Sequence, residues 1–126
     1  MIVIFSTRIL RCLAPWFRDL SGLALFPFII LRSDFRGRPE ADVVINHEKI
    51  HIRQQLELLL LPFLIWYFAS FIAGLLRGRS WHEAYQNILF EREAYRNMYD
   101  PDYLEGRAVF SFLKYRNRGD NSGPGR

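Results

Sequence analysis

The chain has 126 residues, 50% of them hydrophobic and 16% aromatic, with three histidines, one cysteine and a net charge of +4. That length suits one domain with a modest core, and a single cysteine, Cys12, excludes an internal disulfide and any zinc cluster built on thiolates. The 17 basic residues are spread over both halves, which argues against a nucleic-acid stripe and fits contact with an anionic lipid surface.

Residues 1–17 are apolar but broken by Arg8, Arg11 and Pro15. They lack the unbroken apolar centre and small-residue site of a cleavable signal peptide, and read as an amphipathic segment against the protein or a bilayer. Residues 20–31, LSGLALFPFIIL, are too few to cross a bilayer comfortably as a helix. Aromatic and β-branched residues around Pro27 predict a short strand, which the proline confines to a sheet edge. SDFRGR, residues 33–38, is a turn.

Residues 47–51 then read His47-Glu48-Lys49-Ile50-His51, the HExxH pattern. Histidines at i and i+4 share one helix face, one turn apart, so both imidazoles reach a common metal ion. Glu48 follows the first histidine, beside the metal yet free to take a proton from water on it. The setting is helical: Pro39 suits a first helical position, and Glu40 and Asp42 favour the positive helix start. The helix is expected to run on through residues 52–61, with Arg53 and Glu57 paired at i, i+4. The rival reading is a pair of ordinary helix-surface histidines. Two of three histidines in one such pattern favour the metal.

Residues 81–99 predict a second helix, capped by Ser80. Ala84, Ile88, Glu91 and Tyr95 fall on one face, which places Glu91 among apolar neighbours, whereas Glu93 shares a face with Gln86 and Asn97. A lone carboxylate on an apolar face is costly without a partner, so Glu91 is the candidate third metal ligand. The alternative is a surface glutamate paired with Arg92 or Arg96. Asp100-Pro101 opens a last short helix, and residues 117–126, with three glycines and a proline, predict a disordered tail behind a single domain of residues 1–116.

Between the two motifs lie 19 residues without a charge, 58–76, long enough for a transmembrane helix. Geometry argues against one straight span. A single helix from His51 would carry Leu76 ~37 Å from the metal, and the return through residues 77–91 recovers only part of that. Pro62 resolves the conflict: its ring clashes with the carbonyl of Leu58, so the helix breaks or kinks there. The expected fold is mainly α, with α+β open. A helical hairpin (residues 47–61 and 63–76) carries HExxH and packs on the helix bearing Glu91, beside a short N-terminal edge strand. Each arm is ~20 Å, short of a ~30 Å hydrocarbon core, and suits shallow insertion or packing within the domain.

HExxH followed, after a hydrophobic stretch, by Glu91-Arg92-Glu93-Ala94-Tyr95 resembles the gluzincin metallopeptidases, which pair HExxH with a downstream glutamate in an ExxxD-type motif. The membrane-bound CAAX prenyl endopeptidases and the sensor peptidases of the β-lactam response are the most similar, because they too separate the motifs by hydrophobic segments. NHEKIHIRQQLELL with FEREAYRN also resembles a small family of bacterial HExxH proteins, over residues 26–107. The resemblance implies a zinc ion on His47, His51 and Glu91, with Glu48 as general base. It further implies a peptide or protein substrate and association with a membrane, in a bacterium the inner one. One position departs: the aspartate that orients a zinc-binding histidine in gluzincins falls on Tyr95, a weaker acceptor. The metzincin pattern is excluded, because Gln54 stands at its glycine and Glu57 at its third histidine.

Two imidazoles and a carboxylate leave one zinc position open for water, and Glu48 both removes a proton and delivers it to the leaving amine. His82, Tyr85 and Tyr95 are the candidate donors to the oxyanion. An edge strand near residues 24–30 would take an extended peptide by strand addition. Two rival classes stand beside this enzyme: a zinc protein without turnover that serves a membrane complex, and a membrane adaptor without metal.

Overall fold

A computed structural model describes residues 1–15 and 20–116; the expected tail lies outside the described residues. The chain is mainly α, with six helices and one three-stranded sheet among those residues. Ile2–Phe5 (β1) leads to Ser6, whose hydroxyl accepts from the Ile9 N–H and caps Thr7–Leu13 (α1). The expected amphipathic N-terminal segment is therefore a strand and a short helix.

The stretch expected as a single edge strand is a hairpin. Gly22–Leu25 (β2) and Phe28–Leu31 (β3) pair antiparallel around a cis Phe26–Pro27 bond, and β1 adds to β3 in parallel, giving the order β1-β3-β2. Pro27 sits in the turn, where its missing N–H costs no ladder bond. The central β3 carries the buried Ile29, Ile30 and Leu31.

Glu40–Leu58 (α2) packs on the sheet through a core of Ala24, Ile29, Leu31, Phe35, Ala41 and Ile52. It starts one residue after Pro39, with Glu40 and Asp42 in its first turn. The break expected at Pro62 falls at Leu59, where φ is 67° and ψ 153°. Leu60–Leu76 (α3) then leaves at a bend of 114°. The proline argument accounts for this placement. A continuous helix would drive the Pro62 ring into the Leu58 carbonyl, and Leu58 is where α2 ends. Pro62 instead occupies the first turn of α3, where backbone N–H groups have no intrahelical partner to lose. Among the described residues no single helix is long and apolar enough to cross a membrane.

Ser80 caps Trp81–Gln86 (α4) in a reciprocal box with Glu83. The expected second helix is broken at Asn87 and Ile88, and Leu89–Asn97 (α5) starts afresh. Gly74 lets α3 and α4 touch, since a Cβ there would lie 3.0 Å from that of Ala84. The last helix, Tyr103–Gly106 (α6), is followed by a 3-10 turn, Ser111–Tyr115. A second core joins Phe63 and Phe71 of α3 to Ala84, Ile88, Phe90 and Phe112.

Candidate metal centre

The site forms where α2 crosses α5. His47 and His51 stand one turn apart on α2, and Glu91 lies in the first turn of α5. Both Nε2 atoms lie 3.1 Å from Glu91 Oε1. One ligand atom from each residue can be chosen so that all lie within 4.8 Å of one another. The three side chains are buried, at 5%, 5% and 3% exposure. A tetrahedral zinc with bonds of about 2.0–2.1 Å holds its ligands roughly 3.3–3.4 Å apart. The two imidazole-to-carboxylate separations are close to that spacing. Two nitrogens and one oxygen form a donor set that zinc accepts, and that other imidazole-binding divalent metals share.

The electrostatics of the cluster are those of a closely coupled pair. Burial works against the charge on Glu91, but His51 and His47 outweigh it and hold the carboxyl well below the usual carboxylate range. Burial likewise disfavours a proton on His51, yet Glu91 overcomes it and lifts that imidazole to about 9. Without a metal, His51 and Glu91 are thus an ion pair. Burial pushes the Glu48 carboxyl up, with the two histidines partly offsetting it. No buried side-chain nitrogen or oxygen among the described residues lacks a hydrogen-bond partner.

A cavity of about 300 Å³ reaches this cluster. Its walls are mostly apolar, including Leu23 of β2 and Phe63, Leu64 and Phe68 of α3, while Glu48, His51, Gln55 and Glu91 supply polar groups. Gly22 closes it beside the expected base. A Cβ on that glycine would stand 3.3 Å from Glu48 Oε2 and 3.2 Å from Val44 Cγ1, so the missing side chain eases the close approach of the strand to α2.

Compared with protein-family models, with curated proteins and with solved structures, the chain matches none. The site is therefore read from its own geometry.

Of the candidate residues, His47, His51 and Glu91 come together, and Glu48 lines the adjoining cavity. Tyr85 lines it too, whereas His82 is exposed on α4 and is not among the lining residues. Tyr95 meets His47 ring to ring at 4.5 Å, and its hydroxyl donates to that of Tyr85 at 3.3 Å. Burial, reinforced by Glu91, pushes the phenols of Tyr67, Tyr85 and Tyr95 upward and keeps them protonated donors.

Sequence reasoning missed or misplaced five neighbours. Tyr67 donates to Glu91 Oε2 at 2.6 Å from the stretch that looked purely apolar; a phenol inside a charge-free run was the available signal. Gln54 meets His51 Nδ1 at 2.8 Å, and its place three residues after a ligand histidine was the clue. Glu93 was placed away from the buried face, yet its exposure is 0%. Its partner Arg107 carried no local signal. Glu57, expected to pair with Arg53, is held instead by Arg107 at 2.6 and 3.1 Å.

Proposed function

We propose that the chain is a minimal zinc-dependent metallopeptidase of gluzincin type that works against a membrane surface. The observation that carries this reading is the buried convergence of His47, His51 and Glu91 beside a cavity that Glu48 also lines. A purely structural ion needs no such carboxylate. A zinc ion held by the three side chains would polarise a water molecule and the scissile carbonyl. Glu48 accepts the proton of that water and delivers it to the leaving amine. Tyr85, a protonated phenol on the cavity wall, donates to the developing oxyanion.

The outer edge of β2 presents the peptide. Leu23 and Leu25 face β3 in the hydrogen-bonded register set by the Arg32 N–H to Ser21 carbonyl bond, which turns the polar groups of Gly22 and Ala24 outward. Gln55 already takes the Ala24 carbonyl and the Phe26 N–H, both at 2.8 Å. Gly22 is buried beside Glu48 on the cavity wall, so an extended substrate would reach its outward backbone groups only through that cavity.

Membrane contact is supported by α3, a 17-residue helix without a charge that exposes Leu61, Ile65, Phe68, Ile72 and Leu76 and is followed by Arg77. An apolar face of that extent next to basic residues fits one-sided insertion into an anionic leaflet.

A second reading, a zinc protein without turnover, is favoured by Tyr95 standing where gluzincins carry a carboxylate. One experiment separates the two. The parent should bind about one zinc per chain, His47→Ala should lose it, and Glu48→Gln should keep zinc while losing peptide hydrolysis. Zinc binding with no hydrolysis by the parent on varied apolar peptides would leave the silent protein standing. Full zinc occupancy in His47→Ala would remove the site itself.

A further inference from the structure

His51 has a second polar partner, and that partner is the first member of a buried chain of hydrogen bonds. Gln54, fully buried, presents Oε1 to His51 Nδ1 at 2.8 Å. Its Nε2 donates to Glu93 Oε1 at 2.8 Å and to the Phe90 carbonyl at 3.2 Å. Both amide hydrogens are therefore engaged by acceptors. Flipping the amide would set its oxygen against a carboxylate, so its orientation is determined. An acceptor facing Nδ1 requires the proton there. The Nε2 atom of a neutral His51 then carries the lone pair, and Nε2 is the atom that faces Glu91.

Glu93 is held in turn. It accepts from the Tyr103 hydroxyl at 2.6 Å and from Arg107 through Nε and Nη2. Arg107 also grips Glu57 through two nitrogens. Two carboxylates and one guanidinium leave one net negative charge in this buried group. A buried ionised triad carries a desolvation cost of several kcal/mol per ion before its pairings offset it. Here its hydrogen bonds end on His51, one of the two rings whose direction matters to a metal.

We infer that Gln54, Glu93 and Arg107 form a positioning relay that sets the tautomer and direction of His51 as a metal ligand. Arg107 comes from beyond α6, so the affinity of the metal site depends on a segment that contributes no ligand. The inference rests on the metal-centre reading above. It differs from the gluzincin arrangement, whose orienting aspartate falls on Tyr95 here, because the group that orients His51 is an amide on the ligand's own helix.

The test uses the full chain, zinc competition against a chelating indicator, and the visible absorption of the cobalt-substituted protein. Gln54→Met keeps the volume and removes the polar contacts; it should weaken zinc roughly 10- to 100-fold and alter the cobalt bands. Arg107→Lys keeps the charge and loses the fork, and should weaken zinc by a smaller factor in the same direction. Gly74→Ala, which strains the α3–α4 contact and touches nothing in the relay, is the control for lost stability and should leave zinc affinity and the cobalt bands unchanged. If Gln54→Met fails to fold, Arg107→Lys decides alone. Parent-like zinc affinity and cobalt spectra in the folded relay variants would overturn the relay and leave the metal centre intact. A parent that binds no zinc would overturn both.

Discussion

Two adjoining helices reverse the usual placement of polar and apolar residues. The inner face of α2 buries His47, Glu48, His51, Gln54 and Gln55, each at 6% exposure or less, whereas α3 leaves Leu61, Ile65 and Leu76 at 63–83%. Length does not explain the contrast, for the helices run 19 and 17 residues. Partners do. Each buried polar group on α2 named here is tied into the ligand cluster, the relay or the edge of β2, or sits beside the two histidines as Glu48 does, and satisfied groups tolerate burial. The outer face of α3 is covered by nothing among the described residues. The interior is therefore organised around a polar site, and the surface beside it exposes an apolar face.

The relay is where that contrast breaks most severely. Arg107→Met would leave Glu57 and Glu93 buried without their shared cation. Removing one partner of a buried ion pair costs about 3–5 kcal/mol, and denaturant unfolding should show a loss of that order. A loss below about 1 kcal/mol would mean that water reaches these carboxylates. Replacing Arg107 and both glutamates together with apolar residues should recover much of the stability, because no charge is then stranded.

Protons sharpen the same comparison at the ligand end. With its proton held up to about 9 by Glu91, His51 is an imidazolium at pH 7 when no metal is bound. Zinc requires the neutral ring, so binding must expel that proton. Affinity should therefore fall about tenfold for each pH unit below about 9, as long as His51 is the group titrating, and level off above it. Calorimetry at pH 7 in buffers of different ionisation enthalpy should count about one proton released from His51 per zinc. No buffer dependence would show that His51 is already neutral, and that its pairing with Glu91 is weaker than the 3.1 Å geometry implies.

What was legible in the sequence followed local rules. The HExxH spacing, the cap at Ser80 and the clash of Pro62 with Leu58 each depend on residues a few positions apart. All three match the structure, with the break displaced only to Leu59. The inward placement of Glu91 also followed from helical spacing. The same spacing misplaced Glu93, for two physical reasons. The break at Asn87 and Ile88 restarts α5, so a face read continuously from Trp81 does not carry through. The second reason is that α5 is covered on more than one side, with Arg107 and Tyr103 closing over Glu93. Periodicity locates a single buried face and cannot register a second one. Gln54 and Arg107 act through contacts 39 and 50 residues apart in sequence, and no window over the chain holds both ends of such a bond. Pro27 departs from expectation for a different reason: composition alone does not separate one strand from two short ones, and the proline forms the turn between them.

The smallest effect on the folded protein is expected on α3, and there the comparison can fail outright. Leu61 and Ile65 are 67% and 63% exposed, so changing both to serine removes little buried area, and each serine replaces a side chain that water already touches. Folding stability should stay within about 0.5 kcal/mol for each change. Zinc affinity should also hold, since neither residue belongs to the ligand set or the relay. Attachment to vesicles is a different quantity. A leucine or isoleucine side chain taken fully from water into hydrocarbon contributes about 1.5–3 kcal/mol, and even half of that from two residues predicts a loss of roughly tenfold or more in partitioning. Sedimentation with vesicles containing anionic phosphatidylserine, against vesicles of neutral lipid alone, reads both the apolar and the basic contributions. If the parent fails to sediment with either kind, α3 covers itself by some other contact and the membrane reading goes. If the double variant binds as well as the parent, insertion occurs elsewhere on the molecule. A large fall in stability would show instead that this face is packed against the protein's own chain, and the contrast between the two helices would disappear with it.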